Sequence, residues 1–272
     1  MGIVETEEIK RNVILYLWEE IRGLLKGIPV SSPEDVVSLI EKGGELGKRV
    51  RSSLSEDFVE DSTSFFRDPE AFAAYVNIGL PYLESIKREG KILSVGCSTG
   101  EEAYSVAIAN LQKGYGNFRV DGIDVSERRI GKAQKGEYGI LESGLGLDGK
   151  LTQGFFNPKF LLEVEVKPEV RRHVNFFAHD ILNAPTEEQY DVVFCLHLFD
   201  HLSEKGRTVA LENILGSMAG ESYLIFHTLV PGFTVPSQMF QLEQKRYFDG
   251  LKVKGLERLA TPNKAVAFKY HK

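Results

Sequence analysis

From about residue 90 onward, short apolar runs alternate with longer segments in which apolar residues recur at helical spacing. Continuous runs of valine, isoleucine, leucine and phenylalanine are typical of strands that are buried on both faces. The expected strands are KILSV (91–95), FRVDGID (118–124), HVNFFAHD (173–180), YDVVFCLH (190–197) and SYLIFHT (222–228). Helices are expected between them, at roughly 101–113, 126–136 and 203–218. This alternation predicts an α/β fold: a doubly wound, mostly parallel sheet with helices on both faces.

The first 60 residues have a helical pattern instead. Apolar residues recur there at three- and four-residue spacing, at Ile9, Val13, Leu17, Ile21 and Leu24. A second helix is expected to start at Ser31-Ser32-Pro33-Glu34, which offers a serine cap, a proline in the first turn and an acid near the positive helix end. We expect a small N-terminal helical domain at 1–60, a connector and linking helix at 61–89, and a larger domain at 90–272.

Residues 140–172 interrupt the alternation with several glycines. They are followed within the same span by FLLEVEV (160–166), whose period of two is typical of a strand with one exposed face. We expect a small β insertion here, carried by the main sheet. The tail segments LKVKGLERL (251–259) and KAVAFKY (264–270) are expected to supply a final pair of strands.

The composition disfavours several classes of protein. With 33 basic and 39 acidic residues, the net charge of -6 argues against a broad nucleic-acid-binding surface. The opening residues MGIVETEEIK do not resemble a secretory signal, and no apolar segment approaches the roughly 18 residues of a membrane span. The two cysteines, Cys97 and Cys195, adjoin apolar runs and are expected to be buried, reduced thiols. We expect a cytoplasmic protein that binds no nucleic acid and does not insert into a membrane.

The turn after the first expected strand is built of small residues and is followed by two acids, in the order Gly96-Cys97-Ser98-Thr99-Gly100-Glu101-Glu102. A phosphate-binding P-loop would need lysine and then serine or threonine after its second glycine, and two acids would repel a polyphosphate. The dinucleotide fingerprint GxGxxG is also unmet, because the glycines here lie four positions apart. Gly96 lets a ligand approach the backbone, and the acids suit a ligand with positive charge and no phosphate. S-adenosylmethionine, with an ammonium and a sulfonium group, is such a ligand.

Polar residues also end the next strands, and the carboxyl ends of parallel strands meet at one edge of a sheet. Asp124 ends the second strand, where an acid can accept hydrogen bonds from ribose hydroxyls in S-adenosylmethionine and in NAD alike. His179-Asp180 at the third strand is placed to meet the adenine edge. Leu196-His197 at the fourth is placed beside the methionine part and the reacting methyl group.

Four blocks of the chain closely resemble successive blocks of the CheR-type chemoreceptor glutamate methyltransferases: TSFFRDPEAF, GCSTGEEAYSVAIA, IDVSERRIGKAQKGEYG and YDVVFCLHLFDHLSEKGR. The resemblance covers roughly residues 60–230 and implies a class I methyltransferase that uses S-adenosylmethionine. It also implies an acceptor protein with an exposed glutamate, such as a chemoreceptor, and a β-subdomain at the expected insertion. By motif position, the residues along the cofactor would be Thr63, Arg67, Glu102, Asp124, Asp180 and Ile181. Arg67 would lie nearest the methyl-transfer centre.

The fourth-strand block departs from the family pattern, which has cysteine, arginine and asparagine and then, after a short apolar run, tyrosine. Here Cys195 is followed by Leu196 and His197, and His201 stands at the tyrosine position. Asp61 stands where the family commonly has asparagine, and the N-terminal segment lacks the arginine-rich helix that the family uses to meet its receptors. These changes leave the cofactor assignment in place and the acceptor open.

The residues at this corner allow more than one chemistry. A glutamate acceptor, with a reference pKa of about 4.3, is already ionised at neutral pH and needs no general base, and Arg67 could hold it by a charge-assisted bond. A neutral His201 could instead act as a base for a hydroxyl or amine acceptor. A third possibility is a weakly active or inactive binding module that serves as a sensor or scaffold. His197 and His201 would share one face of a helix, but Asp200 would lie on another, so no metal site is predicted.

Overall fold

The computed structural model describes residues 28–42, 46, 63–139, 154–159, 163–227, 255–259 and 266–272. The helices are α1 (Pro33–Lys42), α2 (Pro69–Ala74), α3 (Leu80–Ser85), α4 (Glu101–Gln112), α5 (Glu127–Lys135), α6 (Pro168–Arg171) and α7 (Glu204–Gly216). The strands are β1 (Gly90–Val95), β2 (Phe118–Asp124), β3 (Glu137–Gly139), β4 (Phe156–Pro158), β5 (Glu163–Val166), β6 (Val174–Ala178), β7 (Tyr190–Leu196), β8 (Met218–His227), β9 (Leu256–Leu259) and β10 (Val266–His271). A π-helical turn, Tyr75–Gly79, joins α2 to α3, and a 3-10 turn, Leu198–His201, follows β7.

Seven strands form one sheet in the order β6-β2-β1-β7-β8-β10-β9. The strands from β6 to β8 in this order are parallel, whereas β10 is antiparallel to both of its neighbours. The predicted doubly wound, mostly parallel sheet is therefore confirmed, and the tail supplies the expected strand pair. The chain runs outward from β1 to β2 and β6 and then returns to β7 on the other side of β1. This reversal places the switch point of the sheet between β1 and β7, where open α/β sheets bind ligands.

Strand β7 shows why the central strands read as continuous apolar runs, since all its residues are buried. Val192 and Phe194 belong to the apolar layer that includes α2 and α4, whereas Val193 and Cys195 belong to the layer that includes α7. Alternate side chains of a strand face opposite sides of the sheet, so each layer of helices covers one set. Full burial of such a side chain contributes roughly 1.5–3 kcal/mol, and the strand therefore anchors the core on both faces.

A second sheet of three strands, in the order β3-β5-β4, lies in and beside the span where the β insertion is expected. Phe65, which precedes α2, packs edge-on against Tyr138 of β3 and Phe156 of β4, with ring centroids 5.0 Å apart in both pairs. The connector is thereby packed against the small sheet. The division of the chain into an N-terminal domain, a connector and a larger domain remains a proposal.

Helix α1 begins as the sequence predicts. The N–H groups of Ser31 and Ser32 donate to Oδ2 of Asp35 at 2.8 and 3.0 Å, and the hydroxyl of Ser32 accepts from the N–H of Asp35 at 3.2 Å. This reciprocal arrangement satisfies N–H groups that the first turn leaves without helical partners. The apolar stripe at 9–24 lies outside the described residues. Among the helices that are described, none is long and apolar enough to cross a membrane.

Candidate active site

The turn between β1 and α4 adopts backbone conformations that glycine reaches most easily. Gly96 has a φ of 74° and Gly100 a φ of 98°, both in the left-handed region. A Cβ on Gly100 would lie 2.8 Å from the Cβ of Ala133 on α5, closer than packed side chains allow. The N–H groups of Gly96 and Cys97 donate to the carbonyl of Ile123 at 2.8 and 2.9 Å. The glycines therefore let this turn pack closely against both β2 and α5.

Asp124 ends β2 and holds the neighbouring turns together. Its Oδ2 accepts from the N–H of Ser98 at 3.0 Å, and its Oδ1 accepts from the N–H of Ser126 at 2.9 Å. The hydroxyl of Ser126 in turn caps α5 by accepting from the N–H of Arg129. Each carboxylate oxygen can accept more than one hydrogen bond. A substitution here would disturb both turns.

The two acids that open α4 lie in different surroundings. Glu101 is buried and accepts from the hydroxyls of Thr99 at 2.7 Å and Thr63 at 3.4 Å, and burial raises its pKa. Glu102 is only partly buried, lines the pocket described below and accepts a 2.6 Å hydrogen bond from the hydroxyl of Ser94. Burial raises the pKa of Glu102 to about 7, although Ser94 and nearby positive charges act in the opposite direction. An added cation would stabilise its ionised form.

His197 follows β7 and lies between two carboxylates. Its Nε2 is 2.5 Å from Oδ2 of Asp68, and its Nδ1 is 3.4 Å from Oδ2 of Asp200. Burial lowers the pKa of His197, but the nearby carboxylates of Asp200 and Asp68 outweigh burial and raise the pKa to about 9. The prediction that His197 and His201 share one helical face is wrong, because His197 is left-handed with a φ of 60° and a 3-10 turn follows it. In the described part of the chain, no group of three or more histidine, cysteine or acidic side chains could hold a metal ion.

These elements surround one pocket at the carboxyl ends of β1, β2 and β7. The residues expected from the sequence that line it are Thr63, Arg67, Gly96, Glu102, Asp124, Leu196, His197 and His201. Asp180 and Ile181 are not part of the described wall. Oδ1 of Asp180 accepts from the N–H of Leu182 at 3.0 Å, and Ile181 packs in the apolar layer beside α7. The structure thus gathers the ends of the first, second and fourth predicted strands, but not these two residues.

Comparison with known proteins gives the family. Residues 61–227 match the family model described as CheR methyltransferase, SAM binding domain. The chain belongs to this family. Chemotaxis protein methyltransferase 1 of Pseudomonas aeruginosa is 30% identical over 68% of this chain and 74% of its own length. Probable biofilm formation methyltransferase WspC of the same organism is 33% identical over 59% of this chain and 39% of its own length.

Among solved structures, the N-methyltransferase NodS from Bradyrhizobium japonicum in complex with S-adenosyl-l-homocysteine is 16% identical, with a TM-score of 0.42. The match covers 81% of this chain and 97% of that one. The family assignment rests on the sequence matches. As a CheR-like protein, this chain is an S-adenosylmethionine-dependent methyltransferase.

Several wall residues of this CheR-family pocket were not foreseen from the sequence: Ser64, Asp68, Phe72, Cys97, Ser98, Arg129 and Leu198. Cys97 and Ser98 lie inside the glycine turn, and this position alone could have indicated that both line the pocket. Arg129 lies three residues after the cap of α5 and is 6% exposed, which helical spacing from Ser126 could have indicated. Asp68 gave no local signal, because its partner His197 lies 129 positions away in the chain.

Proposed function

We propose that this CheR-family enzyme transfers the methyl group of S-adenosylmethionine to an ionised carboxylate, the side chain of a glutamate in an acceptor protein. The pocket is the observation that carries this proposal. At the switch point of the sheet it combines the carboxylates of Glu102 and Asp124 with the exposed guanidinium of Arg67. The carboxylates suit a cationic donor, and the guanidinium suits an anionic acceptor.

The residues of the pocket fit the donor in charge. In this proposal Glu102 pairs with the ammonium group of the donor, Asp124 accepts from the ribose hydroxyls, and Gly96 lets the donor lie against the backbone. The donor's surroundings are completed by Thr63, Leu196 and His197. Asp180 and Ile181 are left out of this assignment.

The acceptor chemistry requires little of the chain. When bound, S-adenosylmethionine supplies a methyl group activated by its sulfonium. A glutamate carboxylate, with a reference pKa of about 4.3, is ionised at neutral pH and attacks without a general base. The enzyme must hold the two reactants in line and exclude water, which is catalysis by proximity. Arg67 would hold the acceptor carboxylate, and the fork of its guanidinium would orient it.

The acceptor that we propose is a protein with an exposed glutamate, and a chemoreceptor is the first candidate. The relative from Pseudomonas aeruginosa is named a chemotaxis protein methyltransferase. The sequence blocks also resemble those of enzymes that act on chemoreceptors. Action in the cytoplasm is part of the same proposal.

A hydroxyl or amine acceptor is the second candidate, and His201 is the observation that favours it. His201 is exposed and lines the pocket, so a neutral imidazole could take a proton from such an acceptor. The carboxylate acceptor is preferred because Arg67 lies in the same pocket and because a carboxylate needs no base.

Transfer of labelled methyl groups separates the two candidates. The protein is incubated with methyl-labelled S-adenosylmethionine and with soluble and membrane fractions of a bacterial lysate. Methyl esters hydrolyse in mild alkali and release methanol, whereas methyl ethers and methylamines are stable. We expect alkali-labile label that is lost in Arg67→Ala and kept in Arg128→Ala, which replaces an exposed arginine outside the pocket wall. Alkali-stable label would contradict the carboxylate acceptor and support the second candidate.

A further inference from the structure

His197 and Asp68 form a contact between two distant parts of the chain. Nε2 of His197 lies 2.5 Å from Oδ2 of Asp68, and the two side chains are only 13% and 14% exposed. The other ring nitrogen, Nδ1, faces Oδ2 of Asp200 at 3.4 Å. A neutral imidazole has one N–H and can donate to only one carboxylate, so a ring that faces two is best satisfied as the imidazolium. Charge-assisted hydrogen bonds of this kind are stronger than neutral ones.

The side chain of Asp68 does not serve the helix that it precedes. Asp68 is the N-cap residue of α2, a position where an aspartate commonly accepts from the first N–H groups of the helix. Its side chain makes no capping hydrogen bond, and its carboxylate reaches His197 instead. A proline stands in the first turn of α2, and it has no N–H group to satisfy. The contact with His197 thus takes the place of a local interaction.

The segment Thr63–Asp68 is held at a second point by α4. The N–H of Phe66 donates to Oγ of Ser105 on α4 at 3.0 Å. The backbone at Phe66 is left-handed, with a φ of 52°, a conformation that a bulky residue keeps only when its surroundings hold it there. Arg67 therefore lies between two contacts that hold the segment, one from Phe66 to α4 and one from Asp68 to His197.

The charges that face His197 come from three elements. Asp68 and Arg67 lie on the segment, Asp200 on the 3-10 turn and Glu102 on α4. Burial lowers the pKa of His197, whereas Asp200 and Asp68 raise it to about 9. The imidazolium therefore persists through neutral pH and is lost at alkaline pH. While present, it also helps to keep Glu102 ionised, because it lowers the pKa of that carboxyl group.

We propose that His197 is a positioning residue whose imidazolium, paired with Asp68, fastens the segment Thr63–Asp68 to the end of β7. This segment supplies one side of the pocket wall, including Ser64 and Arg67. His197 therefore acts on the pocket indirectly, because it holds the segment in place, in addition to any direct contact with the donor. The inference rests on the proposed function for the role of Arg67 towards the acceptor, but the fastening itself does not involve the acceptor.

Backbone hydrogen–deuterium exchange of the ligand-free protein tests the fastening directly. Exchange across residues 63–72 is compared in the wild type, His197→Asn, Asp68→Ala and the double variant. We expect roughly tenfold faster exchange of this stretch in each single variant, unchanged exchange in α7, and no further increase in the double variant, because both changes break the same contact. Unchanged exchange in either single variant, or additive effects in the double variant, would overturn the proposal.

The affinity for S-adenosylhomocysteine, measured by titration calorimetry, is the second readout. We expect roughly tenfold weaker binding in His197→Asn near neutral pH. In the wild type the affinity should fall as the pH rises through about 9, where His197 loses its proton. The ligand's own ammonium group also loses its proton at alkaline pH in both proteins, so His197→Asn should show a shallower fall than the wild type. Asp200→Asn is the matched control, because it removes the other carboxylate and keeps the contact with Asp68, and it should move the fall to lower pH.

A flat alkaline profile in the wild type, or an alkaline fall that is equally steep in the wild type and in His197→Asn, would contradict the role of the imidazolium. Neither readout uses an acceptor. If both succeed while the labelled-methyl experiment gives alkali-stable label, the carboxylate acceptor is wrong and the positioning role of His197 stands.

Discussion

Replacing Glu102 by glutamine should stabilise the ligand-free fold and weaken the donor site. Burial raises the pKa of Glu102 from the ordinary 4.5 to about 7, so the folded state disfavours its ionised form. Glutamine has the same size, keeps an oxygen that can accept from the hydroxyl of Ser94 and carries no charge. It should therefore remove the cost of the buried charge while it removes the proposed partner of the donor's ammonium group.

The size of the effect follows from the shift in pKa. One pKa unit corresponds to about 1.4 kcal/mol, so the shift from 4.5 to about 7 corresponds to at most about 3.5 kcal/mol. Because the folded pKa is above the unfolded one, stability is greatest below about pH 4.5, falls as the pH rises towards 7 and is level above that. Glu102 is partly exposed to the pocket, so we expect about 1–3 kcal/mol at alkaline pH, or a melting temperature raised by roughly 2–10 °C.

Thermal unfolding at about pH 5 and about pH 8 measures this difference. Glu102→Gln should be more stable than the wild type at the higher pH, and its advantage should shrink at the lower pH. Its affinity for S-adenosylhomocysteine should be weaker by roughly tenfold or more, because a charged hydrogen-bond acceptor is lost. Glu84→Gln, at an exposed position of α3, is the control and should change neither quantity. A Glu102→Gln variant that is less stable at both pH values, or that binds as tightly as the wild type, would refute the reasoning.

Three further substitutions probe the same corner of the sheet. Gly100→Ala should lower the free energy of unfolding by about 2 kcal/mol or more in urea titrations, because φ at Gly100 is 98° and the new Cβ would lie 2.8 Å from the Cβ of Ala133. An unchanged urea midpoint would show that the turn relaxes around the added methyl group. Asp124→Ala should weaken binding of S-adenosylhomocysteine by about 1.5–3 kcal/mol in calorimetry, and it should lower the melting temperature because the N–H of Ser98 loses its acceptor. Weaker binding with an unchanged melting temperature would contradict this double role. His201→Phe should leave the pH dependence of the methyl-transfer rate between about pH 6 and 7 as it is in the wild type. A rate that rises with pH in the wild type but not in the variant would identify His201 as a general base.

The main sheet could be predicted because its central strands are buried on both faces. Strand β7 is buried at every position, and from Val192 to Leu196 its sequence is an unbroken apolar run. The predicted strand 118–124 has the bounds of β2, and the predicted helix 101–113 differs from α4 by one residue. The expected burial of Cys97 and Cys195 is also confirmed. In each case the order of apolar residues in the sequence corresponds to the residues that are buried in the structure.

The candidate site could be predicted where its residues end parallel strands. Gly96, Glu102, Asp124, Leu196 and His197 follow or end such strands, and the sheet brings these ends to one pocket. Asp180, which follows the third strand, and Ile181, which the family resemblance adds, are expected along the cofactor. Neither is part of the described pocket wall: Asp180 accepts from a backbone N–H of its own turn, and Ile181 packs in the layer of α7. Their contact with the cofactor stays a prediction.

The contacts of His197 could not be predicted from local patterns. Four-residue spacing suggested a helical face shared with His201, but the left-handed backbone at His197 breaks that spacing. Such a conformation in a residue other than glycine is imposed by surrounding contacts. Its partner Asp68 lies 129 residues away in the chain. Only the folded chain brings the two together.

The structure of the protein with bound S-adenosylhomocysteine is the measurement that tests the assigned site most directly. We expect one ligand per chain in the pocket at the ends of β1, β2 and β7. Its ammonium group should lie about 3 Å from the carboxylate of Glu102, and its ribose hydroxyls should donate to Asp124. A ligand bound at another place, or one whose ribose and ammonium group contact neither acid, would contradict the assignment.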